Sequence, residues 1–297
     1  KMNFYGKELN VYKANLHTHS TTSDGFFTPQ QIVRIYEEGG YDCLCLTDHK
    51  NTNAVSELKS KNMTLLSGIE LHPVGPRNIP WHLLCINVPY GFPGEFACGQ
   101  EAVDAVNSAG GIVFVAHPYW CGFTSAEVMS LQNTAGMEVY NTSTRYIGKE
   151  FNMTIWDEIL DHGCLFNALA VDDVHLPHDF FRGWTMICAG DRSPESLVKA
   201  LRNGDYYSSM GPEIHALEYK DGIFHAEFST VTSAILMSNK SYGNCGTVPD
   251  PEFWRQGFVE KNELTCNARE WFPAGSYARL QLRSADGRYA WSNPFMV

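Results

Sequence analysis

Short runs of apolar residues alternate with longer stretches of helical period along the first two-thirds of the chain. The runs predict β-strands over residues 12–16, 43–47, 64–70, 83–88, 112–116, 137–140 and 165–171. Strands that alternate with helices favour a parallel sheet, either open or closed into a barrel. In both arrangements the functional residues lie at the carboxyl ends of the strands.

Several helix boundaries are marked by capping residues. Thr28-Pro29 offers an N-cap followed by proline, and Gln31 is its capping-box partner. Ser193-Pro194 repeats the start of this pattern, and Gly204 is a candidate C-cap. Two further helices are predicted over residues 101–109 and 151–162.

The pattern changes after about residue 207, where Gly211-Pro212 interrupts it. Strand-like segments follow at 214–219, 223–228, 234–237, 277–282 and 289–291, and Asp-Gly pairs separate two of these segments from the next. Asp-Gly between apolar alternations is a strong hairpin signal. We predict one domain over 1–210 and a small antiparallel, sandwich-like β domain over 211–297. The second domain carries no cluster of potential ligands, which favours a packing or substrate-shaping role.

The composition and net charge limit the classes of partner that the protein is expected to bind. The chain has 297 residues and 44% apolar content, enough for one large domain or one large and one small domain. The net charge of −11 and the lack of a basic patch argue against a nucleic-acid backbone as partner, although metal ions can supply positive charge for phosphate locally. No apolar run approaches the ~20 residues of a membrane-spanning helix, and the chain as given starts without a signal peptide.

The nine cysteines do not form a disulfide pattern. Cys43, Cys45, Cys85 and Cys188 lie inside apolar runs, which is typical of buried thiols. There is no paired C-x-x-C spacing of a zinc knuckle or redox site. We therefore expect a reducing compartment, the cytoplasm.

Histidines and carboxylates cluster next to the predicted strands. The motifs are L-H-T-H at 16–19, L-T-D-H at 46–49, G-I-E at 68–70, W-H at 81–82, A-H-P at 116–118 and D-D-V-H at 172–175. Residues two apart on a strand point to the same side, so the H-x-H and D-x-H pairs can each reach one ion. One such pair is a weak signal; two pairs at opposite ends of one domain strengthen each other.

Three acidic residues have alternative interpretations. Asp24 precedes a glycine and is also compatible with an ordinary turn. Asp48 either binds a metal itself or orients its neighbour His49. Glu70 ends an apolar strand, where an unpaired charge is unfavourable, so it either bridges metal ions or forms a salt bridge.

Nine side chains form the predicted ligand set: His17, His19, Asp24, His49, Glu70, His82, His117, Asp173 and His175. At about three protein ligands per open site, they would hold about two or three divalent ions. Histidine–carboxylate sites accept Zn, Mn and Fe. Such ions lower the pKa of bound water toward ~7, so metal-bound water is the predicted nucleophile. The sequence has neither a G-x-S-x-G elbow nor a P-loop.

In their order, L-H-T-H-S followed by S-D-G, L-T-D-H, G-I-E, A-H-P and a late D-x-H resemble the motifs of the PHP family, named after its polymerase and histidinol phosphatase members. The resemblance covers about residues 11–208. It implies an α/β fold, a distorted (β/α)7 TIM-like barrel, with a trinuclear metal site at the carboxyl ends of the strands. The nine positions match the family's ligand pattern residue by residue.

The C-terminal part, with Y-S-S-M-G-P at 207–212 and A-W-S-N-P at 290–294, is similar to the appended β domain of one PHP branch. That branch includes hydrolases of aryl carbamates as well as predicted phosphoesterases. The resemblance therefore leaves two electrophiles open, because the same metal-bound hydroxide can attack phosphorus or a carbonyl carbon.

Residues near the motifs are candidates for contact with the substrate. Arg182 and Lys50 are predicted to bind a phosphate or carboxylate of the substrate. The alternative for both is an exposed side chain that contacts no substrate. Arginine and lysine near the site favour phosphate. A pocket without a fixed cation would favour an aryl substrate if it were lined by Trp81, Trp120, Phe181 and Trp184.

Proton transfer and ligand orientation need further groups. His72, which shares the strand phase of Glu70, or His178, in the loop after the D-x-H motif, is the candidate general acid. Glu138 and Asn141, at another strand end, are predicted to orient other groups.

We predict a metal-dependent phosphoesterase that cleaves a small-molecule phosphate ester by attack of metal-bound hydroxide at a di- or trinuclear site. Hydrolysis of a carbamate, ester or amide at the same site is the alternative. A non-catalytic metal-binding module is disfavoured, because no ligand position is lost. An amidohydrolase barrel also opens with H-x-H but normally ends in an isolated aspartate. We expect a small-molecule substrate and neither a nucleic acid nor a membrane as partner; no pattern specifies an oligomeric state.

Overall fold

A mixed β-sheet frames the first two-thirds of the chain in the computed structural model, which describes residues 1–245 and 260–297. The strands of this part are β1 (Met2–Phe4), β2 (Lys7–Asn15), β3 (Cys43–Leu46), β4 (Thr64–Leu71), β5 (Leu83–Ile86), β6 (Ile112–Val115), β7 (Gly136–Asn141), β8 (Asn167–Val171), β9 (Trp184–Ala189) and β10 (Tyr206–Ser209). Strands β2 to β4 are parallel, and so are β6 to β8, whereas β5 runs antiparallel to both of its neighbours. Strand β9 pairs antiparallel with β2, so the order is β9-β2-β3-β4-β5-β6-β7-β8.

The predicted α/β class is confirmed, but the (β/α)7 barrel is not, because the sheet does not close. Among the described residues, no backbone ladder joins β8 to β9. Side chains connect β8 to β9 and β10 instead. Thr185 Oγ1 in β9 donates to the carbonyl of Ala170 at 3.1 Å, and Ser208 Oγ in β10 donates to the carbonyl of Ala168 at 2.8 Å. Residues 10–14 of β2 are already paired with β9, so β2 cannot pair with β8 along its length. Only the segments beyond their ends meet, at the bridge between Thr18 and Val174.

The described helices are α1 (Pro29–Glu38), α2 (Gly99–Ser108), α3 (Pro118–Cys121), α4 (Ser125–Met129), α5 (Met153–Asp161), α6 (Pro194–Asn203) and, in the C-terminal part, α7 (Ala268–Trp271). The predicted capping box of Thr28 is present, Ser193 caps α6, and Gly204 ends it with a left-handed φ of 77°. Helices α3 and α4 were not predicted. In the part of the chain that the structure describes, no helix has the length and apolar character needed to cross a membrane.

The central strands are buried along their whole length. Every residue of β3, β5, β6 and β7 is buried, which explains why β3, β5 and β6 appear as continuous apolar runs in the sequence, whereas β7 also buries Glu138 and Asn141. Cys43, Cys45, Cys85 and Cys188 are buried free thiols, as predicted. The strands are therefore fixed by packing on both faces, and they hold the side chains at their ends in place.

The described C-terminal part consists mostly of antiparallel strands: β11 (Ile214–Lys220), β12 (Ile223–Val231), β13 (Ser233–Ser238), β14 (Gly243–Cys245), β15 (Lys261–Asn267), β16 (Tyr277–Arg283), β17 (Tyr289–Ser292) and β18 (Phe295–Met296). The hairpin of β11 and β12 turns at Asp221 and Gly222, which have positive φ angles of 53° and 89°, as the Asp-Gly signal predicts. Strand β1 pairs with β11, and β10 pairs with β17. These pairings join the two parts, and the domain boundary at 210/211 stays a prediction.

Candidate metal centre

The nine predicted ligands lie together along one edge of the sheet. Eight of them follow or end parallel strands: His17, His19 and Asp24 after β2, His49 after β3, Glu70 in β4, His117 after β6, and Asp173 and His175 after β8. His82 precedes its strand instead. Because β5 runs antiparallel to its neighbours, its first residues lie at the same edge as the ends of the others.

Four ligand atoms converge where β2, β4 and β8 end. Asp173 Oδ1 lies 3.2 Å from His17 Nε2 and 3.0 Å from His19 Nε2. Glu70 Oε2 lies 3.4 Å and 3.3 Å from the same two nitrogens. Tetrahedral ligands at ~2.0–2.1 Å from a zinc ion are about 3.4 Å apart, so this spacing suits one ion.

A second group forms around the other oxygen of Glu70. Glu70 Oε1 lies 2.8 Å from His82 Nδ1 and 3.4 Å from His117 Nε2. Asp173 Oδ2 is 3.8 Å from the same His117 nitrogen. Each of the two carboxylates therefore presents one oxygen to the first group and one to the second, which is the arrangement of a bridging ligand.

The third group is more open to solvent. Asp24 Oδ2 lies 3.3 Å from His49 Nε2, and Asp24 Oδ1 lies 3.5 Å from His175 Nε2. His19 Nδ1 is 3.8 Å from Asp24 Oδ1, so the His19 ring connects this group to the first. The Asp24 side chain is 54% exposed, whereas the ligands of the first group are almost fully buried.

Two buried carboxylate oxygens show that the ligand set fits metal ions. Glu70 Oε2 and Asp173 Oδ1 have no hydrogen-bond donor among the described residues, which is unfavourable for buried oxygens. His17 Nδ1 lies 2.6 Å from Glu138 Oε1, and because a carboxylate accepts, Nδ1 carries the proton in the neutral ring. In that neutral form the lone pair of Nε2 faces the two oxygens, and either a proton or a divalent cation between them relieves the repulsion. Nitrogen with oxygen ligands suits Zn, Mn or Fe.

Glu138 and Asn141 hold the ligands in place, in agreement with the orienting role predicted for them. Glu138 Oε2 accepts hydrogen bonds from the backbone N–H of His117 and from Asn141 Nδ2, both at 2.8 Å. Asn141 Nδ2 also donates to Asp173 Oδ2 at 3.0 Å. Both residues are fully buried at the end of β7. One carboxylate thus fixes the ring of His17 and the backbone of His117 simultaneously.

Asp48 holds the loop that carries Asp24 and does not contact the cluster as a ligand. Its oxygens accept hydrogen bonds from the backbone N–H and the hydroxyl of both Ser20 and Ser23, at 2.6–3.1 Å. Asn53 Nδ2 donates to it at 2.6 Å. Of the two alternatives in L-T-D-H, His49 is therefore the residue at the centre.

Two further buried aspartates, which sequence reasoning missed, hold the loop after β8. Asp172 accepts three backbone N–H groups of residues 181–183 at 2.8–3.0 Å. Asp179 accepts the backbone N–H groups of His175 and Leu176 and pairs with Arg145 Nη1 at 2.7 Å. The sequence signal that could have indicated this role of Asp172 is its position directly before the predicted ligand Asp173 in D-D-V-H.

Two of the ligands have a backbone conformation that non-glycine residues rarely adopt. The φ angles of His117 and Asp173 are 25° and 52°. Such conformations are unfavourable by about 1–3 kcal/mol each and persist only where the surroundings fix them. The backbone N–H of His117 is held by Glu138, and that of Asp173 by the carbonyl of His17. The fold therefore imposes these two positions on the site.

The protein groups alone bind protons at this centre. Burial lowers the pKa of His49, but the close carboxylates of Asp24 and Glu70 outweigh this effect and raise the pKa to about 10. Burial also opposes protonation of His17, and the carboxylates led by Asp173 raise its pKa well above the usual range. Burial would raise the pKa of Glu70, yet the surrounding imidazoles keep it well below its usual range. Protons and metal ions therefore compete for the same nitrogens.

The centre opens into a cavity of about 220 Å³. Its wall consists of Asp24, His49, Glu70, His82, His117, Trp120, Ser143, Thr144, Asp173 and His175. Trp120 is the one aromatic residue besides histidine among them, and no lysine or arginine belongs to this wall. Ser143 and Thr144 belong to the 3-10 turn Ser143–Ile147 after β7.

Neither candidate general acid lines the cavity. His72 Nε2 lies 2.7 Å from His49 Nδ1, a contact that orients His49. Burial lowers the pKa of His72 to about 3, so the ring is neutral and accepts from His49. His178 is exposed, and its backbone carbonyl accepts hydrogen bonds from Arg182 and Arg145.

The two predicted substrate-binding cations also lie outside the cavity. Lys50 Nζ forms an exposed ion pair with Glu95 at 2.8 Å. Arg182 Nε donates to the carbonyl of His178 at 2.8 Å. Each side chain is thus engaged by another group of the described structure, and neither lines the cavity.

Of the four aromatic residues proposed for an aryl pocket, only Trp120 lines the cavity. Trp81 is buried and stacks on Phe123, with ring centroids 4.2 Å apart. Trp184 lies under the Lys13 ammonium at 4.0 Å. Phe181 packs against Tyr36 and Tyr41.

Comparison with solved structures identifies the fold. The chain superposes on a two-domain protein from Bacteroides vulgatus that contains a predicted PHP-like metal-dependent phosphoesterase, with a TM-score of 0.57 and 17% sequence identity. The match covers 97% of this chain and 95% of that protein. The chain therefore shares the fold of this PHP-like protein, and the match includes both parts of the chain.

Other similarities are weaker or shorter. No protein-family model matches the chain. An amidohydrolase from Chromobacterium violaceum gives a TM-score of 0.46 at 19% identity over 56% of this chain and 88% of that one, below the level of a shared fold. The 5′-3′ exoribonuclease Rnm of Salmonella typhimurium is 29% identical over 85 residues, which are 27% of this chain and 29% of that enzyme. The matched segment thus spans less than a third of that relative's length.

Proposed function

We propose that the protein is a metal-dependent hydrolase that cleaves a phosphate ester of a small molecule. The observation that carries the proposal is the pair of buried oxygens, Glu70 Oε2 and Asp173 Oδ1, that face imidazole nitrogens and have no donor among the described residues. Such groups are retained where a cation binds them. The fold shared with a protein that contains a predicted metal-dependent phosphoesterase supports the same reaction class.

The nine ligands would hold about two or three divalent ions, with Zn, Mn and Fe as the candidates. His17, His19, Glu70 and Asp173 would hold one, Glu70, Asp173, His82 and His117 a second, and Asp24, His49 and His175 a third. When bound, the ions supply an acidic water for attack and neutralise charge on the ester oxygens.

The chain's own residues position the ligands and shape the cavity. Glu138 keeps the proton of His17 on Nδ1, which leaves Nε2 available as a ligand. The Asp48 hydrogen bonds hold the loop of Asp24 over the third group. The hydroxyl groups of Ser143 and Thr144 are in the cavity wall and can donate to a substrate oxygen.

Phosphorus is the favoured electrophile. The similarity to an exoribonuclease, although confined to 85 residues, is to an enzyme whose name denotes attack on a phosphodiester. Because no lysine or arginine lines the cavity, the charge of a phosphate would be balanced by the metal ions. Hydrolysis of an aryl carbamate, ester or amide is the second candidate, and the exposed indole of Trp120 in the wall is the observation that favours it.

The test compares two substrate panels with metal-reconstituted protein: phosphomonoesters, and aryl esters with carbamates. We expect phosphate release that His17→Ala abolishes while the protein stays folded. His225→Ala is the matched control, because this histidine lies in β12 and contacts Thr265. Turnover of the carbonyl panel alone would establish the second candidate, and turnover of neither panel by fully loaded protein would contradict both.

A further inference from the structure

We propose that Trp120 is the surface on which a planar aromatic group of the substrate stacks. The preferred substrates are then phosphate monoesters of alcohols that carry such a group. This inference rests on the proposed phosphate-ester hydrolysis and adds the class of leaving alcohol to it.

The indole of Trp120 is held beside the ligands and is partly exposed. Its ring centroid is 5.3 Å from that of His82 and 5.1 Å from that of His117, at interplanar angles of 66° and 84°. Both contacts are edge-on, and no described aromatic side chain stacks in parallel on the indole. The residue is 42% exposed although it lines the cavity. A planar ring from the substrate can stack on the exposed part of the indole.

The turn that carries Trp120 is rigid. Helix α3 starts directly after His117, and its backbone is closed by hydrogen bonds from Cys121 N to His117 O and from Phe123 N to Pro118 O. The N–H of Tyr119 is bound by Asn152 Oδ1 at 2.9 Å. Pro118 and Phe123, at the two ends of the turn, are buried. The indole is therefore fixed relative to a ligand, so little ordering is needed when a ring binds.

The rest of the wall offers no other apolar surface for the leaving alcohol. Apart from Trp120, every residue of the wall is polar or a predicted ligand, and the wall contains no lysine or arginine to bind a second anionic group. Polar selection among alcohols is limited to Ser143 and Thr144. Trp120 is consequently the residue that distinguishes a flat apolar group from a small or sugar-like one.

The size of the cavity places the aromatic group near its mouth. About 220 Å³ is less than the ~300–1,000 Å³ of sites that enclose a drug-sized ligand, so the phosphate and part of one ring fill it. Tyr146 and Ile147 follow the lining residue Thr144 in its 3-10 turn and are 57% and 61% exposed.

The experiment compares three monoesters of primary alcohols, so that the leaving groups are alike: benzyl phosphate, adenosine 5′-monophosphate and ethyl phosphate. With metal-loaded wild-type protein we expect kcat/KM for benzyl phosphate to exceed that for ethyl phosphate by roughly 5- to 150-fold, the range of base stacking on an aromatic side chain. The difference lies mainly in KM, because stacking contributes equally to the ground and transition states.

Three variants assign the preference to the indole. Trp120→Ala reduces the benzyl-to-ethyl ratio to about one, and Trp120→Phe retains most of it, because a phenyl ring still stacks. Trp271→Ala is the matched control: this tryptophan is 55% exposed, lies in the C-terminal part and leaves the ratio unchanged. The ratio does not depend on the fraction of loaded protein, so a disturbance of metal binding through His82 or His117 cannot imitate the result.

Binding without turnover separates this inference from the proposed function. Equilibrium dialysis of benzylphosphonate against ethylphosphonate should show the same Trp120-dependent preference. If none of the esters is hydrolysed but that preference persists, the proposed reaction fails and the stacking surface stands. If adenosine 5′-monophosphate is preferred over ethyl phosphate as benzyl phosphate is, a nucleobase fits the stacking surface. If only benzyl phosphate is preferred, the surface selects a simple aryl group. Equal kinetics and equal binding of the benzyl and ethyl compounds overturn the inference.

Discussion

Two groups of buried charges, one at the candidate metal centre and one between α5 and β16, differ in how completely the protein satisfies them. Arg279 is fully buried, and its Nε and Nη2 donate to both oxygens of Asp157 at 2.8 Å. Its guanidinium also lies 4.5 Å from the Trp156 ring centroid. At the metal centre, by contrast, Glu70 and Asp173 each keep one buried oxygen without a donor among the described residues.

The difference separates a structural ion pair from a binding site. A buried charge with all its partners within the chain holds the fold together and requires nothing else. Buried oxygens that face imidazole nitrogens and have no fixed donor bind a cation instead, and in the protein alone protons take the place of metal ions on those nitrogens.

The largest effect is expected from Glu70→Gln. The Glu70 carboxylate places one oxygen in the first ligand group and the other oxygen in the second, so loss of this carboxylate weakens both groups. We expect kcat/KM for phosphate esters to fall at least ~10³-fold, equivalent to about 4 kcal/mol of transition-state stabilisation. Steady-state phosphate release measures it, with His225→Ala as the control. Activity within tenfold of wild type would show that Glu70 is only a buried ion-pair partner.

Asp157→Asn should destabilise the fold without affecting the reaction. It leaves the buried guanidinium of Arg279 without a charged partner, and breaking a buried pair costs about 3–5 kcal/mol. We expect the lower end of that range, because the Asp157 side chain is 26% exposed. Urea unfolding measures the free energy of unfolding. Glu158→Gln, which alters an exposed neighbour on the same helix, should change this free energy by less than ~0.5 kcal/mol. A comparable loss of turnover per folded molecule would contradict the separation of the two groups.

Glu138→Gln should weaken metal binding by roughly 10- to 100-fold. The carboxylate accepts from His17 Nδ1 at one oxygen and from the His117 backbone and Asn141 at the other. A glutamine has only one acceptor oxygen, so its amide N–H₂ must face a donor on one of the two sides. Competition with a chelator measures the affinity. Unchanged affinity would remove Glu138 from the account of ligand orientation.

Metal affinity should rise with pH. The imidazoles of His17 and His49 have raised pKa values in the protein alone, about 10 for His49, so protons occupy ligand nitrogens at neutral pH. Metal binding must displace them, and each displaced proton raises the affinity by up to about tenfold per pH unit. Mn²⁺ titration at pH 6, 7 and 8 measures the slope. A constant affinity across this range would mean that the nitrogens are unprotonated without metal.

The smallest effects are expected from Lys50→Ala and Arg182→Ala. Lys50 forms an exposed pair with Glu95, Arg182 binds the carbonyl of His178, and neither lines the cavity. Exposed pairs contribute only about 0–1 kcal/mol, so kcat/KM should change by less than about threefold. A hundredfold loss in either variant would instead support the substrate-binding role predicted from the sequence.

The positions of the ligands were largely predictable because the rules involved are local. His17 and His19, like Asp173 and His175, are two apart at strand ends, and strand ends meet at one edge of a sheet. The predicted strands and the Asp-Gly hairpins depend on equally local patterns.

Features that depend on distant parts of the chain were not predictable in this way. Strand β9 pairs with the free edge of β2, which leaves the sheet open, and no local sequence pattern predicts this pairing. His82 reaches the centre only because β5 runs antiparallel to its neighbours. The side chains of Lys50 and Arg182 are engaged by Glu95 and by the His178 carbonyl, which no spacing near the motifs specifies.

The metal stoichiometry of the folded protein decides whether the buried oxygens of Glu70 and Asp173 bind cations. The wild-type protein should be loaded with Mn²⁺ or Zn²⁺, separated from free ions and measured by elemental analysis beside the Glu70→Gln variant. We expect about two or three tightly held ions per chain in the wild type and a marked loss in the variant. Folded wild-type protein that retains no stoichiometric metal would contradict this expectation, because the unpartnered oxygens of Glu70 and Asp173 would then not be metal ligands.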